Sequence, residues 1–253
     1  MMRLNQIITN EKTYANEMLQ NCQLGEDITK TLFIVAKYYY SEGYELSEVA
    51  AKLREYLLRC EPNANLILWE RTIDYISKSA RKHKLVEIDS IVITEKEFEF
   101  IKSIDGLWLQ KLLFTLLCLG KLSCKKNGSD SYWVNFETRD IFSLANITLS
   151  NYRQNVLINT LYEQGFISYS SRQDNLSLKI NFAQPDSEPY YEVCDFRNLG
   201  NQYMRLIGQP YFECKSCGLV VKQNSNHQKY CQTCAEKMNR ETTYIRKYGA
   251  LIH

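Results

Sequence analysis

Apolar positions recur at helical spacing through the first eighty residues. Between residues 28 and 40 the run Leu32, Phe33, Val35, Ala36, Tyr39 predicts a helix packed on more than one side, with Asp27 as its cap. Residues 46–58 predict a second, capped by Ser47, with Val49, Ala50, Leu53, Tyr56 and Leu57 inward. Residues 66–81 predict a third, whose stripe is Leu66, Trp69, Ile73 and Ile76. A shorter helix over 11–20 places Tyr14 and Met18 on one face. Glu42-Gly43 and Pro62-Asn63 interrupt the pattern. Residues 1–103 therefore read as a helical N-terminal domain, closed by a strand or extended connector over 85–93. A short helix follows to Ile101, started by the capping-box spacing of Thr94 and Glu97.

Residues 107–122 form the most apolar helical pattern: Leu109, Leu112, Leu113, Phe114, Leu116, Leu117, Leu119. At that length it predicts a core helix, shorter than a bilayer span. A short strand over 132–135 follows, then helices over 138–146 and 151–163, the second ended by Gly165. Residues 166–170 and 176–180 alternate like paired strands around a tip at 171–175. The order over 104–182, with Leu-Tyr-Glu-Gln-Gly-Phe-Ile at the passage from helix to strand, resembles a winged helix-turn-helix. The resemblance implies that helix 151–163 enters the major groove. Val156, Leu157, Thr160 and Leu161 would face the core, leaving Ser150, Asn151, Arg153, Gln154, Asn155 and Asn159 for the groove. Asn, Gln and Arg can make paired hydrogen bonds to base edges. Arg172 in the wing tip would reach the backbone or minor groove. Winged helices are also protein-interaction modules, and eight Lys/Arg against six acids over 104–182 is only mildly basic.

Residues 183–208, opening with Pro185 and Pro189, read as a linker holding at most one short helix. Cys214-Lys215-Ser216-Cys217 and Cys231-Gln232-Thr233-Cys234 then give two C-x-x-C pairs, the spacing of a four-thiolate zinc site. One structural Zn²⁺ on Cys214, Cys217, Cys231 and Cys234 is expected. All four ligand places are filled by protein, so the metal holds a fold and has no open position to activate water. Between the pairs, Gly218-Leu219-Val220-Val221 and His227-Gln228-Lys229-Tyr230 predict a hairpin with its tip at Asn224-Ser225-Asn226. A helix over 235–248 completes a ribbon domain at 209–253, exposing Lys237, Arg240, Arg246 and Lys247. The predicted fold class is thus mainly α with small β.

Charge sharpens this picture. The 253 residues carry a net charge of only +2, but residues 205–253 alone carry +5, with Lys229 between the cysteine pairs adding to the basic surface. Five further cysteines, Cys22, Cys60, Cys118, Cys124 and Cys194, are scattered singly, which fits free thiols in a reducing cytoplasm. No signal-peptide pattern opens the chain. Three histidines and no Gly-rich nucleotide loop or H-E-x-x-H motif argue against an enzyme.

Together the winged-helix order and the ribbon resemble uncharacterised proteins of phages and mobile elements of low-GC Gram-positive bacteria, over about 105–250. That resemblance implies a nucleic-acid-binding protein, DNA favoured, acting in transcription control or replication. The alternative is a factor that binds or inhibits a host protein such as a polymerase or a defence nuclease, for which the acidic balance of residues 1–204 speaks. No membrane partner is expected.

Overall fold

The computed structural model describes residues 7–170 and 177–248, without the side chains of 246–248. The chain is mainly helical with small sheets, and it divides into two compact units, Met1–Asp89 and Ser90–His253.

The first unit is built from four helices, α1 (Glu11–Asn21), α2 (Ile28–Ser41), α3 (Leu46–Cys60) and α4 (Leu66–Ala80). Short polar side chains start them. Asn10 accepts from the Thr13 N–H (2.8 Å), Asp27 from Lys30 (2.9 Å) and Asn65 from Ile67 (3.1 Å). Helix α3 begins one residue before the predicted cap Ser47: Glu45 is its N-cap, and Glu48 reaches back to the Glu45 N–H. Leu32, Val35, Val49, Leu53, Leu57, Ile73 and Ile76 meet in the core. Within it lies a buried ion pair, Lys37 to Glu11, and Glu11 also accepts the Val86 N–H (2.8 Å).

The second unit starts with strand β1 (Ile91–Thr94) and helices α5 (Glu95–Ser103) and α6 (Leu107–Asn127). Strand β2 (Trp133–Val134), helices α7 (Thr138–Leu144) and α8 (Asn151–Glu163), and strands β3 (Ile167–Tyr169) and β4 (Leu178–Ile180) follow. The chain ends with β5 (Pro189–Val193), α9 (Leu199–Leu206), β6 (Tyr211–Glu213), β7 (Val220–Lys222) and α10 (Gln232–Tyr248). Helix α6 is the axis: every residue from Lys111 to Leu122 is buried. It runs five residues past the predicted end at Leu122. By length and composition it is now long and apolar enough to cross a membrane, but two thirds of it is buried against this unit. β2, β4 and β3 form an antiparallel sheet in that order against it.

The segment read as a linker is structured. β5 pairs antiparallel with β1, Ile91 opposite Val193 and Ile93 opposite Tyr191, so residues 90–103 belong with the second unit. Pro189 opens β5, where its missing N–H disturbs the pairing least. Glu97 locks this corner. Its buried carboxylate accepts the N–H groups of Thr94 and Gln184 (both 2.9 Å) and the Lys121 ammonium (2.5 Å), which also donates to Val92 O (2.7 Å). Cys118 is fully buried, and burial pushes its thiol well above the usual range.

Candidate metal centre and nucleic-acid interface

Cys214 follows β6, and the chain turns through Lys215 and Ser216 to Cys217 and Gly218. Gly218 has φ of +73°, a conformation that favours glycine, and its N–H closes the turn on Cys214 O (2.9 Å). The Cys214 N–H donates to Leu219 O (3.0 Å), so β6 and β7 run on as an antiparallel pair, Phe212 opposite Val221. This corrects the expected hairpin. β7 pairs with the strand before the first cysteine, and among the described residues His227 to Tyr230 form no strand. Helix α10 starts at Gln232, earlier than the predicted Ala235, so Cys234 sits in its first turn and Cys231 immediately before it.

The four sulfurs lie within 4.8 Å of one another. Cys217 Sγ and Cys231 Sγ are 3.8 Å apart, too far for a bond. A tetrahedron with metal–sulfur bonds of about 2.3 Å has edges of about 3.8 Å, so the spacing fits one metal ion at the centre. The electrostatics agree. Burial alone would raise the Cys214 thiol, but N–H groups of Cys231, Cys217 and Ser216 aim at it and bring it down to about 6. The Cys231 N–H lies 3.2 Å from Cys214 Sγ. Burial pushes Cys217 up to about 12 and raises Cys231 as well. One thiolate among crowded sulfurs keeps its neighbours protonated; a central cation reverses that and draws all four to thiolates. Histidine His227 is exposed and is not in the cluster.

The β6–β7 pair and its cysteine turn are fixed to the rest of their unit by groups that sequence spacing does not reveal. Asn201, buried on α9, donates to Val220 O in β7 (3.0 Å) and accepts from Asn146 Nδ2 (2.7 Å) at the end of α7. Asn146 has φ of +50°, and its carbonyl accepts from the Lys111 ammonium of α6 (2.7 Å). Burial holds Lys111 below its ordinary pKa. Arg197, pushed up by its bonds to Asp195, donates to Cys217 O (2.7 Å). A continuous line of hydrogen bonds thus runs from the core helix through the α7–α8 turn and α9 to β7, and Arg197 separately ties the cysteine turn. The signal available in sequence was slight: an asparagine just past a helix end and a glycine inside one.

The predicted base-reading residues divide into three groups. Asn151, Arg153 and Asn155 are exposed on α8, with Ser150 exposed as its N-cap. Gln154 is half-buried and donates to Leu149 O (3.0 Å), and Asn159, though exposed, accepts from the Tyr169 hydroxyl (2.9 Å). Arg172 lies outside the described residues. The inward face also differs from expectation. Ile158 and Leu161 are buried, while Val156 is exposed, because the helix turns its 158/161 pair onto the core and carries Val156 outward with Tyr152. Lys229 is exposed; on α10, Lys237 faces Glu241 (4.0 Å) and Arg240 faces Glu236 (3.9 Å) one turn away. Arg246 and Lys247 continue α10. Comparisons with family models, with curated proteins and with solved structures give no match.

Proposed function

We propose that the second unit binds nucleic acid, DNA favoured, by setting α8 into the major groove, and that one Zn²⁺ on Cys214, Cys217, Cys231 and Cys234 holds the ribbon that adds phosphate contacts. The observation that carries this reading is the outward face of α8, where Asn151, Arg153 and Asn155 project with Ser150 at the helix start. The element order supports it. Helix α6, strand β2, helices α7 and α8, then β3 and β4 with β4 central in the sheet, is an order that resembles a winged helix-turn-helix. An all-sulfur tetrahedral set suits zinc, a d¹⁰ ion with no geometric preference of its own. Lys229, Lys237 and Arg240, with Arg246 and Lys247 further along the same helix, supply cations for phosphates.

Bound zinc would bring the thiolates into a fixed tetrahedron, and with it the folding energy of a ribbon too small to bury a core. The chain's own residues then do the binding. The line from Lys111 through Asn146 and Asn201 to Val220 keeps the ribbon at a fixed offset from α8, so both engage one duplex together.

The test is a gel shift with the Arg153→Ala, Asn155→Ala double variant. Both residues are exposed, so the fold is retained, and sequence preference is expected to vanish while weak general binding persists. Undiminished preference would remove α8 from the role. A second reading, docking of a host protein on this face, draws on exposed Tyr152 and Val156. It is favoured if the wild-type chain retains no DNA and the same double variant loses a bound protein.

A further inference from the structure

Helix α4 of the first unit carries a face that its own core does not use. Leu66, Trp69, Ile73 and Ile76 turn inward as the sequence pattern predicts, with Ile73 and Ile76 fully covered. The opposite side holds Ile67 at 86% exposure, Leu68 at 75% and Tyr75 at 71%. Single exposed apolar residues need no explanation, but three large ones grouped on one helix mark a contact surface. Ile67, Arg71, Tyr75 and Lys78 follow at helical spacing and share that face, walling a shallow groove with Glu70 and Asp74.

The charges say what would fill it. Glu70 and Asp74 are already met by Arg54, which grips Glu70 through two nitrogens and lies 3.4 Å from Asp74. Arg71, Lys78, Lys82 and Lys84 are exposed and have no carboxylate within ion-pair distance among the described residues. Cations just past a helix C-terminus are explained by the helix dipole, but Arg71 is in mid-helix and is not. The face is therefore apolar at its start and cationic towards its end. From Ile67 to Lys78 it measures about 17 Å, three turns of helix.

We infer that this face docks an acidic amphipathic helix of another protein, apolar side chains covering Ile67, Leu68 and Tyr75, and carboxylates meeting Arg71 and Lys78. A nucleic acid would satisfy the cations but leave Ile67 and Leu68 uncovered, since aliphatic side chains neither bond phosphate nor stack flat on a base. A second copy of this chain would bring unpaired cations against unpaired cations. The site is separate from α8 and the ribbon, so it stands whether or not the second unit binds DNA.

Fluorescence anisotropy of the full chain with three labelled helical peptides of about sixteen residues tests it. They share one leucine stripe and differ in being Glu-rich, Gln-rich or Lys-rich elsewhere; a labelled single-stranded DNA runs alongside. The Glu-rich peptide is expected to bind at least about tenfold more tightly than the Gln-rich one. Ile67→Ser with Leu68→Ser, and separately Arg71→Glu with Lys78→Glu, should each weaken it about tenfold. All four side chains are exposed, and circular dichroism checks that each variant remains helical. Equal binding of the Glu-rich and Lys-rich peptides overturns the proposal. So does loss of DNA binding on changing Arg71 and Lys78 with no effect from Ile67 and Leu68, which would make the face a phosphate surface. A wild-type dimer in light scattering that the Ile67/Leu68 variant dissolves would assign the face to a second copy instead.

Discussion

Gly200 occupies a place where no side chain fits. A Cβ there would meet Ala145 O at 1.8 Å and Ala145 C at 2.5 Å, both backbone atoms that a rotamer change does not move. The requirement is steric: α9 crosses the end of α7 closely enough for Asn201 to reach Asn146 on one side and Val220 on the other. Gly200→Ala should therefore destabilise the second unit by about 3 kcal/mol, read as a lower urea midpoint, and an unmoved midpoint would refute the close approach. The buried pair of Glu97 and Lys121 gives a second expectation at this scale. Glu97→Gln leaves the ammonium without its counter-charge and two backbone N–H groups with a weaker acceptor. A loss of about 3–5 kcal/mol is expected in the same assay.

Among elements, α10 and α8 divide the work proposed for the second unit. Lys237 and Arg240 are exposed and only loosely paired within α10. Changing both to alanine should weaken binding to all DNA sequences alike and reduce the slope of log affinity against log salt by about two. An unchanged slope would show that α10 touches no phosphates. This is also the scale at which sequence was most and least informative. Long periodic helices were legible, because the apolar repeat of α2, α3 and α4 is set by their own core-facing positions. The cysteine spacing was legible too, because a tight turn and a helix start must each present two sulfurs. The pairing of β6 with β7 was not: the apolar run at 218–221 marks a strand, but a stretch as short as Val220–Lys222 carries no periodicity to name its partner, which is chosen by the turn at Gly218. β5 was hidden for the same reason, its partner β1 lying a hundred residues earlier with only Ile91, Ile93, Thr94 and Val193 buried to betray it. The ligands of the ribbon could be read locally, whereas Asn146 and Asn201, which fix its position, meet across 55 residues.

At the scale of the whole molecule, the division after Asp89 separates two kinds of surface. The first unit has its own capped helices and its own core, and offers the apolar and cationic face of α4. The second gathers the four clustered cysteines, α8 and the basic end of the chain. Chelation of the metal should thus abolish the ribbon's protection in hydrogen exchange while leaving α2, α3 and α4 unaffected; loss of protection in those helices would contradict the division. The zinc-loaded second unit is proposed to read DNA. The most direct measurement of this is selection of the full-length, metal-loaded protein against a random duplex pool, followed by salt titration on the enriched sequence. A defined motif is expected to emerge, its enrichment depending on Arg153 and Asn155, with an affinity that falls steeply with salt. A pool that emerges unenriched, with no salt-dependent retention of DNA, would contradict the proposal.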